Sequence, residues 1–197
     1  MMHIGRKCYH LVGGLGLLSL YYLLERQNAL LVYGFLFLIV IVMDTLRLKI
    51  PAINQFIFDH FGSFIRTNEA DKLTGTASYV LGIGISYALY RSDVATTAIC
   101  FLVFGDVAAT TVGERYGKTK IAGKKSLEGT LAFITAAAAS GYLLQVAGIH
   151  LPSGLVMAGA AVAAATELIP LPVNDNLAIP LVSGGVMELT AVLTGWA

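Results

Sequence analysis

The chain has 197 residues, 56% of them hydrophobic and only 13% charged, with a net charge of +1. That balance excludes an ordinary soluble domain, in which about a quarter of residues are charged. Its apolar residues run in solid stretches, which excludes a membrane β-barrel with its alternating strands. The expected fold is therefore all-α, a polytopic membrane helical bundle.

A helix crossing the hydrocarbon core needs about 20 residues. In chain order the apolar stretches predict about seven spans: residues 10–24, 28–48, 73–90, 93–113, 127–148, 152–168 and 177–196. The first is short and the sixth is weak, so six spans is the alternative count; all of them belong to one integral membrane domain over residues 1–197. Arg6 and Lys7 precede the first span as in a signal peptide. Tyr-Leu-Leu-Glu-Arg follows it instead of a small-x-small cleavage site, so the span is expected to be retained. Cys8 and Cys100 stand alone and suggest no disulfide framework.

Between the second and third spans, Ile53, Phe56, Ile57, Phe61, Phe64 and Ile65 recur every three to four positions over residues 51–66. That spacing predicts one amphipathic helix lying in the membrane interface. Spans five and six are dense in small residues, at 136–139 and 158–165, which lets helix backbones approach closely in lipid.

Charge sets the expected orientation. With a cytoplasmic N-terminus, the inner segments carry Arg6, Lys7, Arg47, Lys49, Arg66, Lys72, Arg115, Lys118, Lys120, Lys124 and Lys125, and the outer ones only Arg26 and Arg91. Positive residues concentrate on the cytoplasmic side. The C-terminus is then expected outside and the basic loop at 115–125 inside.

Charged groups within a span cost about 2.5–3.5 kcal/mol on insertion scales, so intramembrane acids are candidates for function. Asp106 lies roughly 10 Å below the inner end of its span, with Thr110 and Gly113 on the same face. Asp44 has Arg47 one turn on, Glu128 opens span five, Glu167 ends span six and Asp175-Asn176 open span seven. All five acids fall on the inner half, whereas Glu188 lies toward the outside. Acids beside a basic, Gly-rich loop suggest phosphate with Mg²⁺, which takes oxygen ligands from one or two carboxylates and the phosphates themselves. Gly123-Lys124-Lys125-Ser126 is not a P-loop end, because Lys118 stands where that motif requires glycine. His10 shares a helix face with Arg6, as a ligand contact or an interfacial anchor.

The order of these features resembles the polyprenol kinase family of dolichol kinases, phytol kinases and CTP-dependent diacylglycerol kinases. The matching blocks are Arg6-Lys7-x-x-His10-x-x-Gly13, Leu73-Thr74-Gly75-Thr76, and Gly105-Asp106-x-x-Ala109-x-x-x-Gly113-x-x-x-Gly117-Lys118. Gly123-Lys124-Lys125-Ser126-Leu127-Glu128-Gly129-Thr130, Glu167-Leu168-x-Pro170 and Asp175-Asn176-Leu177-x-Ile179-Pro180 complete them in family order. The resemblance implies transfer of the γ-phosphate of CTP to a lipid hydroxyl, with a dolichol- or polyprenol-like isoprenoid alcohol as the expected acceptor. The alternatives are diacylglycerol as acceptor, a CTP:phospholipid cytidylyltransferase, and a lipid or phosphate transporter without catalysis. Expected partners are CTP, the acceptor lipid and the bilayer, and not nucleic acid.

Within that reading, Lys124, Lys125 and Ser126 are expected on the triphosphate, with Lys118 as a secondary contact. Arg6 and His10 are further ligand contacts. Gly105, Gly113, Gly117, Gly123 and Gly129 would let the backbone approach closely. Asp106 and Glu128, then Asp44, are expected at Mg²⁺. Asp175, ahead of Glu167, is expected to meet the acceptor hydroxyl as base, beside Asn176 as a donor, and capping of span seven is the competing role for Asp175.

Overall fold

A computed structural model describes residues 4–62, 65 and 69–196. Its elements are α1 (Ile4–Lys49), α2 (Pro51–Phe61), α3 (Gly75–Leu89), α4 (Ser92–Tyr116), β1 (Lys120–Ala122), β2 (Lys125–Ser126), α5 (Leu127–Val146), α6 (Ser153–Leu168) and α7 (Asp175–Leu193).

The 46-residue α1 is two helices, broken at Glu25 by φ 63° and ψ 162°. A straight helix would put Leu17 and Tyr33 about 24 Å apart. The Tyr33 hydroxyl instead donates to the Leu17 carbonyl at 2.6 Å, so the chain doubles back at Glu25. The break falls between the first two spans expected from the sequence. Tyr21 and Tyr33 both stack on Tyr87 of α3, at 3.8 and 6.1 Å between ring centroids, and so hold both arms against α3.

α1, α4, α5 and α7 are long and apolar enough to cross a membrane, so this is an integral membrane protein. α3 and α6 are equally apolar but have 15 and 16 residues, about 22 and 24 Å against a core of about 30 Å. Pro170 and Pro172 stop α6 early. Leu31, Phe35, Leu38 and Val42 on the second arm of α1 are exposed, as a lipid-facing row requires.

Two expectations change in detail. The amphipathic helix has Pro51 at its first position and ends at Phe61 rather than continuing to residue 66; Ser63, Phe64 and Arg66 lie outside the described residues. Among the described residues the regular structure is helical except in the basic loop, where β1 and β2 form a two-stranded antiparallel ribbon. Its turn runs through Gly123, whose φ of +56° favours glycine. Hydropathy cannot reveal a ribbon this short, because strands of three and two residues are too short to show an alternation.

α4 is the central helix, buried without interruption from Val94 to Val103. Small residues let its neighbours close on it. A Cβ on Gly105 would lie 2.7 Å from the Phe133 ring of α5, and one on Gly141 would lie 2.4 Å from Val156 of α6. Gly105→Leu is therefore expected to destabilise the fold by about 1–3 kcal/mol through overpacking, read as a lower thermal midpoint in detergent.

The end of the bundle away from the acid cluster explains Glu188. Its carboxylate lies 3.3 Å from Arg91 Nε and also accepts from the Arg91 backbone N–H. The Arg91 guanidinium sits 5.3 Å from the Trp196 ring. This cluster ties the start of α4 to the end of α7. Glu188→Leu is expected to lower stability without raising the KM for any ligand bound at the opposite end.

Candidate active site

Helix ends meet at one face of the bundle. The last turns of α4, the ribbon, the start of α5, the end of α6 and the start of α7 enclose a cleft of about 670 Å³, with Arg6 of α1 on its rim. That is within the usual range for a small-molecule site. Its wall carries Lys120, Lys124, Lys125 and Ser126 from the ribbon, Asp106, Thr110 and Glu114 from α4, and Glu167 and Asp175. Asp106, Glu114 and Thr110 lie at i, i+8 and i+4, on one face of α4.

Lys125 organises the acids opposite it. Its Nζ is 3.1 Å from Glu167 and 3.4 Å from Asp175. The cap of α7 is Asn174, whose side chain accepts from the Asn176 N–H, so Asp175 is not the cap and its carboxylate faces Lys125. Asn176 differs from expectation. Its Nδ2 donates to the Gly75 carbonyl at 3.0 Å and joins α7 to α3.

Ser126 is buried and caps α5, its Oγ accepting from the Gly129 N–H at 3.2 Å. The hydroxyl proton remains available to an anion in the cleft, and the positive end of α5 points the same way. Three glycines make this fit possible. A Cβ on Gly117 would lie 2.5 Å from Ser126 Oγ, and Gly113 and Gly129 approach each other across the α4–α5 contact. Their first effect is close helix packing, which brings the ribbon over the cleft; Gly123 serves its turn.

Besides Asn176, five expected residues fall outside the cleft wall: Gly105, Lys118, Glu128 and Asp44, and His10, which lines an adjoining recess. Gly105 is buried against Phe133. Lys118 is exposed and not part of the cleft lining. Glu128 accepts from the Thr119 N–H at 3.1 and 3.2 Å, closing the loop before the ribbon. Asp44 is buried, with one carboxylate oxygen on Arg47 at 2.8 Å and the other on the Thr74 N–H and hydroxyl at 2.7 and 2.9 Å. Both oxygens of Asp44 are thus occupied by protein donors.

A second, smaller recess of about 50 Å³ adjoins the cleft and shares Arg6, Asp106 and Thr110 with it. His10 lines this recess, stacked on Tyr79 at 4.4 Å with its Nε2 3.9 Å from Asp106. Thr74, Gly75 and Thr76 form the opposite wall. Sequence reading left Lys120, Glu114 and Lys7 unassigned. Lys7 pairs with Glu114 at 2.7 Å across the cleft rim. The position of Glu114 on the Asp106 face was a usable signal. The Lys7 pairing spans 107 residues and left none.

Among the described residues no group of three or more His, Cys, Asp or Glu side chains is arranged to hold a metal by itself. Asp106, Glu167 and Asp175 nevertheless share one wall with the lysines. That donor set fits Mg²⁺ arriving with a triphosphate, whose oxygens fill most of the shell.

No protein-family model and no solved structure matches the chain. Curated relatives do. The Saccharomyces cerevisiae protein named CTP-dependent diacylglycerol kinase 1 is 31% identical over 137 residues, covering 67% of this chain and 47% of that protein. The Eremothecium gossypii protein of the same name is 33% identical over 132 residues, covering 66% and 42%. The chain is a homologue of CTP-dependent diacylglycerol kinase 1, a member of the polyprenol kinase family. The Schizosaccharomyces pombe protein of that name is 27% identical over 168 residues, 74% of this chain and 73% of that one. The chain thus spans somewhat under half the length of the first two relatives. All three names give diacylglycerol, not an isoprenoid alcohol, as the relatives' substrate.

Proposed function

We propose that this chain is a CTP-dependent lipid kinase that transfers the γ-phosphate of CTP to the hydroxyl of diacylglycerol. The observation that carries the reading is the cleft itself, in which three lysines, Arg6, Ser126 and four carboxylates converge at one end of a membrane bundle. Phosphoryl transfer asks a protein mainly for positioning and charge neutralisation. Diacylglycerol replaces the isoprenoid alcohol expected from the sequence, because the homologues are named for it. A transporter needs polar groups across the bilayer, whereas among the described residues the ion pairs away from the cleft end gather around Arg91, with Asp93 and Glu188.

Lys120, Lys124, Lys125, Arg6 and the Ser126 hydroxyl bind the triphosphate. Lys125, which pairs with Glu167 and Asp175, would turn to the phosphates. Glu167 and Asp175 would then be the residues to hold a Mg²⁺ ion, which would supply charge neutralisation at the phosphate oxygens. Asp106 stands where cleft and recess join, so it is the carboxylate that orients the acceptor hydroxyl and takes its proton late in transfer. Asp175, expected in that role from the sequence, is assigned instead to Lys125 and the metal.

We further assign seven crossings, with α1 counted twice, the cleft facing the cytoplasm, α2 in the interface and the C-terminus outside. Impermeant thiol reagents acting on introduced cysteines are expected to label positions 115–125 only from the cytoplasmic side. For the reaction, CTP turnover by the purified full chain is expected to be fastest with diacylglycerol in a panel that includes a polyprenol and phytol. A preference for polyprenol would restore the isoprenoid reading.

A further inference from the structure

The small recess beside Asp106 adjoins the proposed triphosphate cleft, and a buried ion pair 30 residues away in sequence shapes its wall. Arg47 is 1% exposed and spends its whole guanidinium on protein. Its Nε donates to Asp44, its Nη1 to Asn54 of α2 at 3.2 Å and to the Ala70 carbonyl at 3.4 Å, and its Nη2 to the Lys72 carbonyl. Asp44 in turn holds the backbone N–H and hydroxyl of Thr74. Gly75 is fixed from two further directions, its N–H by Glu69 and its carbonyl by Asn176. The segment 69–75 is thus clamped from α1, α2 and α7, and it ends in the wall of the recess.

Size and position identify what the recess accepts. Its 50 Å³ has room for roughly three or four water-sized groups, too few for a nucleoside. Thr76 offers a neutral hydroxyl beside the cationic Arg6 and Lys7, and Arg6, Asp106 and Thr110 connect the recess to the cleft. It lies between the first arm of α1 and α3. There Tyr9, 37% exposed, donates to Thr76 at 3.2 Å across the rim.

The geometry points to this recess as the subsite for the hydroxymethyl head of the acceptor glycerolipid, with Asp44 and Arg47 as positioning residues that hold its Thr74–Thr76 wall. The inference rests on the kinase reading and deepens it. Arg47 is the positioning device because its fork reaches four partners on three segments at once, which a lysine cannot reproduce. Asp44 acts through Thr74 and not through Mg²⁺.

The test uses the full chain in phosphatidylcholine vesicles, with CTP, diacylglycerol and Mg²⁺ varied separately. Thr76→Leu fills the recess and Arg47→Lys loosens its wall. Each is expected to raise the KM for diacylglycerol about tenfold, the scale of one lost hydrogen bond, with the KM for CTP unchanged. Asp44→Asn is expected to raise the same constant and leave the Mg²⁺ dependence as in wild type. Thr76→Ser, which keeps the hydroxyl and adds no bulk, is expected to behave as wild type, so the fold is not in question. A shift in the KM for CTP instead, a Mg²⁺ requirement raised by Asp44→Asn, or unshifted constants in all three variants would overturn the assignment. Wild-type protein that phosphorylates no lipid is a different result and removes the kinase reading itself.

Discussion

Lys125→Met is expected to lower kcat about 10²–10³-fold, the usual loss when one preorganised charge partner of a transferring group is removed. The magnitude follows from position. Lys125 is the ribbon lysine that reaches both Glu167 and Asp175, with its side chain 29% exposed. Removing it takes one positive charge from the triphosphate and leaves two carboxylates facing each other, which disfavours a bound polyanion twice over. Lys125→Arg keeps the charge but not the compact ammonium that fits between two acids, so partial activity is expected. Lys124 also lines the cleft but is exposed, and solvent screening makes the expected loss in Lys124→Met smaller. Lys118→Met should leave turnover near wild type, because that side chain lies outside the wall. Equal losses at 118, 124 and 125 would mean that the loop acts only as a diffuse positive charge.

Asp106→Asn is expected to cost at least about 10²-fold in turnover, within the range for loss of a positioned proton acceptor. The substitution preserves shape, and Asp106 is only partly buried on a helix whose packing depends on its other faces. The variant should therefore insert and melt like wild type. Its distinguishing mark is that CTP binding persists while transfer fails, since the ribbon lysines are untouched. Near-normal activity would take Asp106 out of the chemistry and pass the role back to Asp175 or Glu167.

Much of this arrangement was legible in the sequence because membrane helices carry their signal in composition. The break between the first two spans and the gathering of Asp106, Glu167 and Asp175 at one end follow from apolar length and the placement of intramembrane acids. Partners distant in sequence were not legible. Asp44 reads like a ligand from its neighbourhood alone, and only the fold shows Thr74, 30 residues away, occupying one of its oxygens. Glu128 opens a helix beside the lysines, yet it turns back to the Thr119 N–H. The glycines read as allowing close ligand approach have packing roles as well. Gly105 is there because Phe133 leaves no room for a side chain, and Gly113, Gly117 and Gly129 because two helices meet around Ser126. Identical residue types serve packing and ligand approach, and spacing does not separate them.

The central claim is that the cleft places the γ-phosphate of CTP, and not its α-phosphate, against the acceptor hydroxyl. Incubating the reconstituted full chain with diacylglycerol and CTP labelled at either the α or the γ position tests it directly. Label is expected in the lipid only from γ-labelled CTP, with CDP as the other product. Label entering the lipid only from α-labelled CTP would contradict the account and identify a cytidylyltransferase.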